Sequence, residues 1–196
     1  MKQLLYFLSL IIFIGCSEQA SEEGDLYYQA GDFEQAIRSY SAYLELNPTN
    51  VKTLYNRGRA YEELGLFELA FKDFVLVLEE DGENMQGNLS VGTYYYRKQD
   101  YENARHYFDQ AVKYHDSNAQ AYFLRARAYH KVGKKREAMK GYNQAIILNG
   151  DYGDAYLYRG ALKSYLKQNR SACEDYRKAK ALNVEKAEVA LKSFCN

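Results

Sequence analysis

The sequence predicts an all-α stack of five helix–turn–helix repeats closed by a capping helix, and three observations lead there. A small residue recurs every 34 positions, as Gly24, Gly58, Gly92, Ala126 and Gly160. Twelve residues beyond each stands an alanine: Ala36, Ala70, Ala104, Ala138 and Ala172. Four further on comes an aromatic, as Tyr40, Phe74, Phe108, Tyr142 and Tyr176. Self-similarity at a fixed period of this length marks a repeat architecture. The five repeats fill residues 17–186 with no insertion, since 5 × 34 = 170. A small residue lets two helix axes approach closely, and a ring four residues away on the same face fills the adjacent groove. One such hairpin has two apolar faces and cannot bury both alone, so neighbours must stack.

The N-terminus reads separately from the repeats. MKQLLYFLSLIIFIGC, residues 1–16, places Lys2 ahead of an uncharged apolar stretch from Leu4 to Gly15, the layout of an export signal. That stretch falls short of the roughly 20 residues needed to span a bilayer. Phe13-Ile14-Gly15-Cys16 resembles the lipobox of bacterial lipoproteins, with Phe13 where leucine is usual. The resemblance implies that Cys16 becomes a lipidated N-terminus carrying several acyl chains, palmitate among them; more than one chain is what stable anchoring takes. The polar, acidic run SEQASEEGD follows. Gln19-Ala20 with Glu22-Glu23 is similar to acidic signals that send some lipoproteins to the outer surface, but a solvated tether has the same composition. The expectation is a lipid-anchored protein of the outer membrane, on its periplasmic face.

The repeats are bounded at 17–50, 51–84, 85–118, 119–152 and 153–186, with a cap over 187–196. Asn50, Asn84 and Asn118 stand last in their repeats, where an asparagine side chain can accept N–H groups of the next helix. Gly31, Gly65 and Gly133 fall at the turn inside the repeat, where a left-handed residue ends a helix. The sole proline, Pro48, lies between repeats and breaks no helix interior. These residues together resemble the tetratricopeptide repeat family, and the resemblance implies a right-handed α-solenoid whose first helices line a concave groove. One column departs from the family: Glu23, Arg57, Val91, Arg125 and Arg159 stand where leucine is usual. The arginines are expected to pair across repeats. The opening helix, SEQASEEGDLYYQA, has few apolar anchors and is expected to fray into the tether.

After the fifth repeat, Ala187, Ala190, Leu191 and Phe194 share one face of a short helix, as a solenoid's last exposed surface requires. With Cys16 assigned to lipid, Cys173 and Cys195 remain, and an exported protein sits where disulfides persist. An antiparallel hairpin turning near residue 184 mirrors Cys173 to within about one residue of Cys195. A bridge between them is the favoured reading, and two unpaired buried thiols remain the alternative.

Composition narrows function by exclusion. The chain holds 26 basic and 26 acidic residues, so no basic stripe argues for nucleic acid. No Gly-rich phosphate loop, HExxH, paired-cysteine metal motif or nucleophile elbow occurs, so no enzyme, cofactor or metal site is expected. By the family's register, the groove presents Tyr55 and Arg59 from the second repeat, then Leu89, Thr93, Tyr96 and Arg97 from the third. Phe123, Arg127, His130 and Lys131 follow from the fourth. Apolar anchors beside basic groups suit an extended peptide or short helix with acidic residues. The expected function is a non-catalytic scaffold holding a protein or peptide partner, with the membrane reached through the N-terminal lipid. The rival is an envelope or surface accessory subunit of an uptake or enzyme system, binding glycan or recruiting a catalytic partner.

Overall fold

Residues 20–195 are described by the computed structural model. The export segment, its Cys16, the first tether residues 17–19 and Asn196 lie outside the described residues. All secondary structure among the described residues is helical. Helix α1 covers 20–30, followed by α2 (Phe33–Leu46), α3 (Val51–Glu63), α4 (Phe67–Glu80), α5 (Met85–Arg97) and α6 (Tyr101–Tyr114). Then come α7 (Ala119–Lys131), α8 (Lys135–Leu148), α9 (Gly153–Tyr165), α10 (Asn169–Ala181) and α11 (Glu185–Phe194). The chain divides into an N-terminal unit ending at Val91 and a C-terminal unit beginning at Gly92.

Local chemistry sets the helix ends. Asn50 Oδ1 accepts from Thr53 N at 2.9 Å, Asn84 Oδ1 from Gly87 N at 3.0 Å and Asn118 Oδ1 from Ala121 N at 2.8 Å, each relieving an orphan donor of the first turn. Asp32 and Asp100 cap α2 and α6 in the same way. Gly31, Gly65 and Gly133 take φ of 79°, 73° and 78°. Gln99 and Lys167, in the same column, take 62° and 60°, where a Cβ makes the left-handed conformation costly by about 1–2 kcal/mol. The turn is therefore imposed by the packing of its two helices, and glycine is the relaxed choice for it.

In the N-terminal unit the small-residue column does what close packing requires. A Cβ added to Gly24 would stand 2.5 Å from the Tyr40 ring, and one on Gly58 would stand 2.6 Å from Phe74. Ala36, Tyr40, Ala60, Ala70, Phe74 and Val77 are buried around these crossings. The expected fraying of the opening helix is corrected over residues 20–30. Asp25 accepts from Tyr40 Oη at 2.7 Å, Asn56 Nδ2 at 2.8 Å and Lys52 Nζ at 2.9 Å, so a polar clasp fastens α1 where apolar anchors are few.

The C-terminal unit repeats the scheme, with Gly92 against Phe108 and Gly160 against Tyr176. Ala126 holds a methyl in that column because the facing position is Gly141, whose own Cβ would lie 2.8 Å from it. Around Ala126, a core of Phe123, Ala138, Tyr142, Ala145, Ala155 and Leu162 closes the fourth and fifth repeats.

The arginine column also needs correction. Arg57 pairs within its own repeat, donating from Nε and Nη2 to Asp73 at 2.8 Å each, and reaches Ser41 of the preceding repeat at 3.2 Å. Arg159 does the same with Asp175, at 2.9 and 2.6 Å, and with Asn143 at 2.8 Å. Both use the positions sixteen before and sixteen after themselves. Arg125 finds Gly141 sixteen ahead and so turns back to Asp109 at 3.8 Å. Only Arg125 takes its carboxylate from a neighbouring repeat.

Helix α11 folds back on α10 through Asn183, with φ of 60°. Ala187 is fully buried, but Phe194 stays 57% exposed while its ring stacks on Tyr176 at 6.3 Å, so the cap's last turn covers less than its pattern suggests. Cys173 and Cys195 are joined in a disulfide, with Cα atoms 5.7 Å apart.

Candidate functional site

Three of the groove residues belong to the N-terminal unit. Leu89 is buried in the core, at 9% exposure, so it cannot serve as an anchor for a partner. The Tyr55 ring packs on Phe74, 5.6 Å between centroids, and Arg59 Nη1 donates to its hydroxyl at 3.4 Å. Arg59 is further held by Glu62 at 3.1 Å and Glu63 at 3.7 Å. These two side chains border a cavity of about 360 Å³ that also meets Asp25, Tyr28, Tyr40 and Asn56. Burial opposes ionisation of Asp25, but hydrogen bonds from Lys52, Tyr40 and Asn56 outweigh it and hold the carboxyl below its ordinary pKa. Burial and that carboxylate push the Tyr40 phenol well above its usual range. The cavity's charges are therefore answered from within.

The remaining groove residues belong to the C-terminal unit, and they part into two sets. Phe123 is a core residue, 5% exposed, wedged among Tyr142, Tyr152 and Tyr158 with centroids 4.9–6.1 Å away. The expectation of an aromatic anchor at Phe123 is corrected, because a ring in this column fills the space between the fourth and fifth repeats. Thr93 and Arg97, on α5, stand outside the cavity that the others form. Tyr96, Arg127, His130 and Lys131 do come together, with Tyr142, Tyr158 and Ala161, around a cavity of about 360 Å³.

Arg127 dominates this second cavity. Its guanidinium carbon lies 4.6 Å from the centre of the Tyr96 ring, 5.1 Å from Tyr158 and 5.6 Å from Phe123, three cation–π contacts that hold the charge without neutralising it. Its Nε is buried with no hydrogen-bond partner. Beside it, His130 Nδ1 lies 3.4 Å from the Tyr142 hydroxyl. Burial, then the charges of Lys131 and Lys135, lower the His130 pKa and favour the neutral ring. Burial drives the Tyr142 phenol above its usual range and pushes Tyr152 up to about 12. No acidic residue lines the cavity. Cationic, aromatic and neutral donor groups with no anion among them can recognise an anion set in apolar surroundings.

The two cavities occupy the same place in the repeat, 102 residues apart, which is 3 × 34. Asp25, Tyr28, Tyr40 and Asn56 correspond to Arg127, His130, Tyr142 and Tyr158. The carboxylate at the first is thus replaced by a guanidinium at the second. The sequence reading missed Asp25, Tyr142 and Tyr158. A partial signal was present in the aromatic column, where Tyr40 and Tyr142 carry a hydroxyl and Phe74 and Phe108 do not, although Tyr176 carries one and lines neither cavity.

Among the described residues no cluster of His, Cys, Asp and Glu could hold a metal ion, and no helix is long and apolar enough to cross a membrane. Models described as "TPR repeat" and "Tetratricopeptide repeat" match residues 24–65 and 91–156, and another "Tetratricopeptide repeat" model matches 51–84. No curated protein matches the sequence. Solved structures do resemble it. A crystal structure of MamA is 24% identical with a TM-score of 0.74, over 84% of this chain and 96% of that one. MamA from Desulfovibrio magneticus RS-1 is 18% identical with a TM-score of 0.78, over 85% and 94%. YrrB, described as "a TPR protein with an unusual peptide-binding site", is 20% identical with a TM-score of 0.74, over 89% and 90%. At these identities the likeness is one of fold, that of an all-α helical-repeat solenoid.

Proposed function

Because this chain belongs to the tetratricopeptide repeat family, we propose that it is a non-catalytic scaffold that holds a segment of another protein against its first helices, tethered to the bacterial envelope through Cys16. One observation carries the reading. The cavity around Arg127 draws side chains from the third, fourth and fifth repeats, no acidic residue lines it, and the Arg127 Nε is buried there with no hydrogen-bond partner. A face that gathers recognition groups from successive repeats suits an extended segment lying across those repeats. That YrrB is described as peptide-binding agrees with this use of the fold. The Cys173–Cys195 bridge is in keeping with an oxidising compartment, and so with export to the periplasmic face of the outer membrane.

The test is photo-crosslinking in intact cells from the two kinds of helix. A crosslinker at Lys131, on first-type helix α7, should capture a discrete protein partner. One at Ile147, 74% exposed on second-type helix α8, should not. Capture from Ile147 alone would move the binding face, and capture from neither would remove the scaffold reading. A Cys16→Ser change should abolish labelling by radioactive palmitate and release the chain from membranes. Retention on a polysaccharide column without any crosslinked protein would favour the glycan-binding accessory instead.

A further inference from the structure

Charge is divided along this chain in a way that its neutral total conceals. Residues 20–91 of the N-terminal unit carry 5 basic and 14 acidic residues, a net of −9, whereas residues 92–195 carry 20 and 11, a net of +9. The turn inside each repeat shows the same reversal at matched positions. Residues 29–34 and 63–68 hold four carboxylates, Asp32, Glu34, Glu63 and Glu68, and no cation. Residues 131–136 and 165–170 hold six cations and no carboxylate, while 97–102 balances two against two. Each set of turns is gathered into one edge. The Tyr28 hydroxyl donates to Glu63 at 3.4 Å, which brings the first two turns together, and all four of their carboxylate residues are exposed. In the C-terminal unit Lys131 Nζ lies 5.6 Å from the centre of the Tyr101 ring and Lys135 Nζ donates to the Tyr165 hydroxyl at 2.8 Å, which joins three turns. Lys134, Arg136, Lys167 and Arg170 are exposed there.

We propose that the acidic turn edge of one copy docks on the basic turn edge of a second copy of this chain. Ion pairs offset one charge on each edge, Glu63 with Arg59 at 3.7 Å and Arg170 with Glu174 at 3.8 Å, and an excess of each sign remains. Leu66 is 43% exposed on the acidic edge and Leu166 41% on the basic one, so each also offers apolar surface among its charges. The division of charge favours a second copy as the occupant. A foreign polyanion drawn to the C-terminal unit would be repelled by the N-terminal unit of the same chain, whereas a second copy brings a match for both. Made in one sense, the contact is heterologous and extends into a row; made reciprocally, it closes a pair. It uses the turns rather than the cavity around Arg127, so it is independent of the scaffold reading.

The experiment is sedimentation of the full-length chain in density-matched detergent at ionic strengths of about 0.01 M and about 1 M, between which the Debye length falls from roughly 30 Å to roughly 3 Å. The parent should sediment as pairs or longer rows in low salt and as single chains in high salt, its apparent Kd rising about tenfold or more. Two charge-reversed variants should each stay single. K134E/R136E/K167E/R170E turns the basic edge acidic, and E34K/E63K/E68K turns the acidic edge basic; Lys131 is left alone because it lines the Arg127 cavity. Mixed in low salt, the two variants should associate again, each supplying the edge the other has lost, a rescue that misfolded chains would not show. Single parent chains in low salt, association that persists in either variant alone, or a mixture that stays single would overturn the proposal. So would a parent that stays single yet is retained by a dextran sulfate column, since that gives the basic edge to a foreign polyanion.

Discussion

Replacing Arg57 by methionine tests whether the departure from the family's leucine column is a built ion pair or a tolerated surface charge. Arg57 meets both oxygens of Asp73 at 2.8 Å, and Asp73 is 3% exposed, so the substitution strands a buried carboxylate while keeping most of the side chain's volume. Breaking one partner of such a pair costs about 3–5 kcal/mol. The low end applies, because the Arg57 side chain is 19% exposed and water can enter where the guanidinium was, so roughly 3 kcal/mol is expected. At about 2–4 °C per kcal/mol for a chain of this size, the melting temperature should fall by roughly 6–12 °C. Adding Asp73→Leu removes the stranded charge and should bring stability back to within about 1 kcal/mol of the parent, since a buried pair replaced by apolar residues is often neutral. Urea unfolding of the four proteins of this cycle, followed by circular dichroism and by tyrosine fluorescence, yields the coupling energy. Two probes are needed because helical repeats can unfold stepwise. A loss below about 1 kcal/mol for Arg57→Met, or a double variant no better than the single, would refute a buried pair that must be kept whole.

Three further outcomes follow from the packing and charges. Changing Gly58 to alanine places a Cβ 2.6 Å from the buried Phe74 ring, with two more ring atoms at 3.0 Å; so close a clash belongs at the upper end of the roughly 1–3 kcal/mol that overpacking costs, above the helix-propensity gain of about 1 kcal/mol, so thermal melting should show a net loss. Reducing the Cys173–Cys195 bridge, or replacing both cysteines by serine, should cost about 3 kcal/mol and release amide protection across Glu185–Phe194 in hydrogen exchange, with α7 unaffected. Asp25 has a folded pKa below its unfolded value, so its contribution is complete above about pH 4 and is lost as the pH falls through the folded value; Asp25→Asn should flatten the acid limb of stability measured by urea titration.

The repeat was legible because its columns are set by close packing, which tolerates few residue types. Gly58 must be small because Phe74 occupies the space, and Ala126 can carry a methyl only because Gly141 faces it. Turn and cap residues were legible for the same reason: Gly65 and Asn50 answer local backbone demands that neighbours at short range impose. What could not be read was which side chains a groove position would meet. Leu89 and Phe123 sit in columns that the family's register assigns to the groove, yet tyrosines of adjoining elements bury Phe123, and Leu89 belongs to the core as well. The arginine column shows the limit in another form. Its residues were visible, but their partners lie sixteen positions away on other helices, and whether that position holds Asp73 or Gly141 decides which repeat supplies the carboxylate. Asp25 gave no apolar signal at all, so a helix fastened by a polar clasp reads as a fraying end.

The central claim is that the first helices hold a segment of another protein across successive repeats. A crystal structure of the chain with a bound peptide chosen from a random-sequence library tests it most directly. The peptide should lie on α7 and α9, against side chains that line the Arg127 cavity. A peptide seated on α6 and α8 with the Arg127 cavity empty would contradict it.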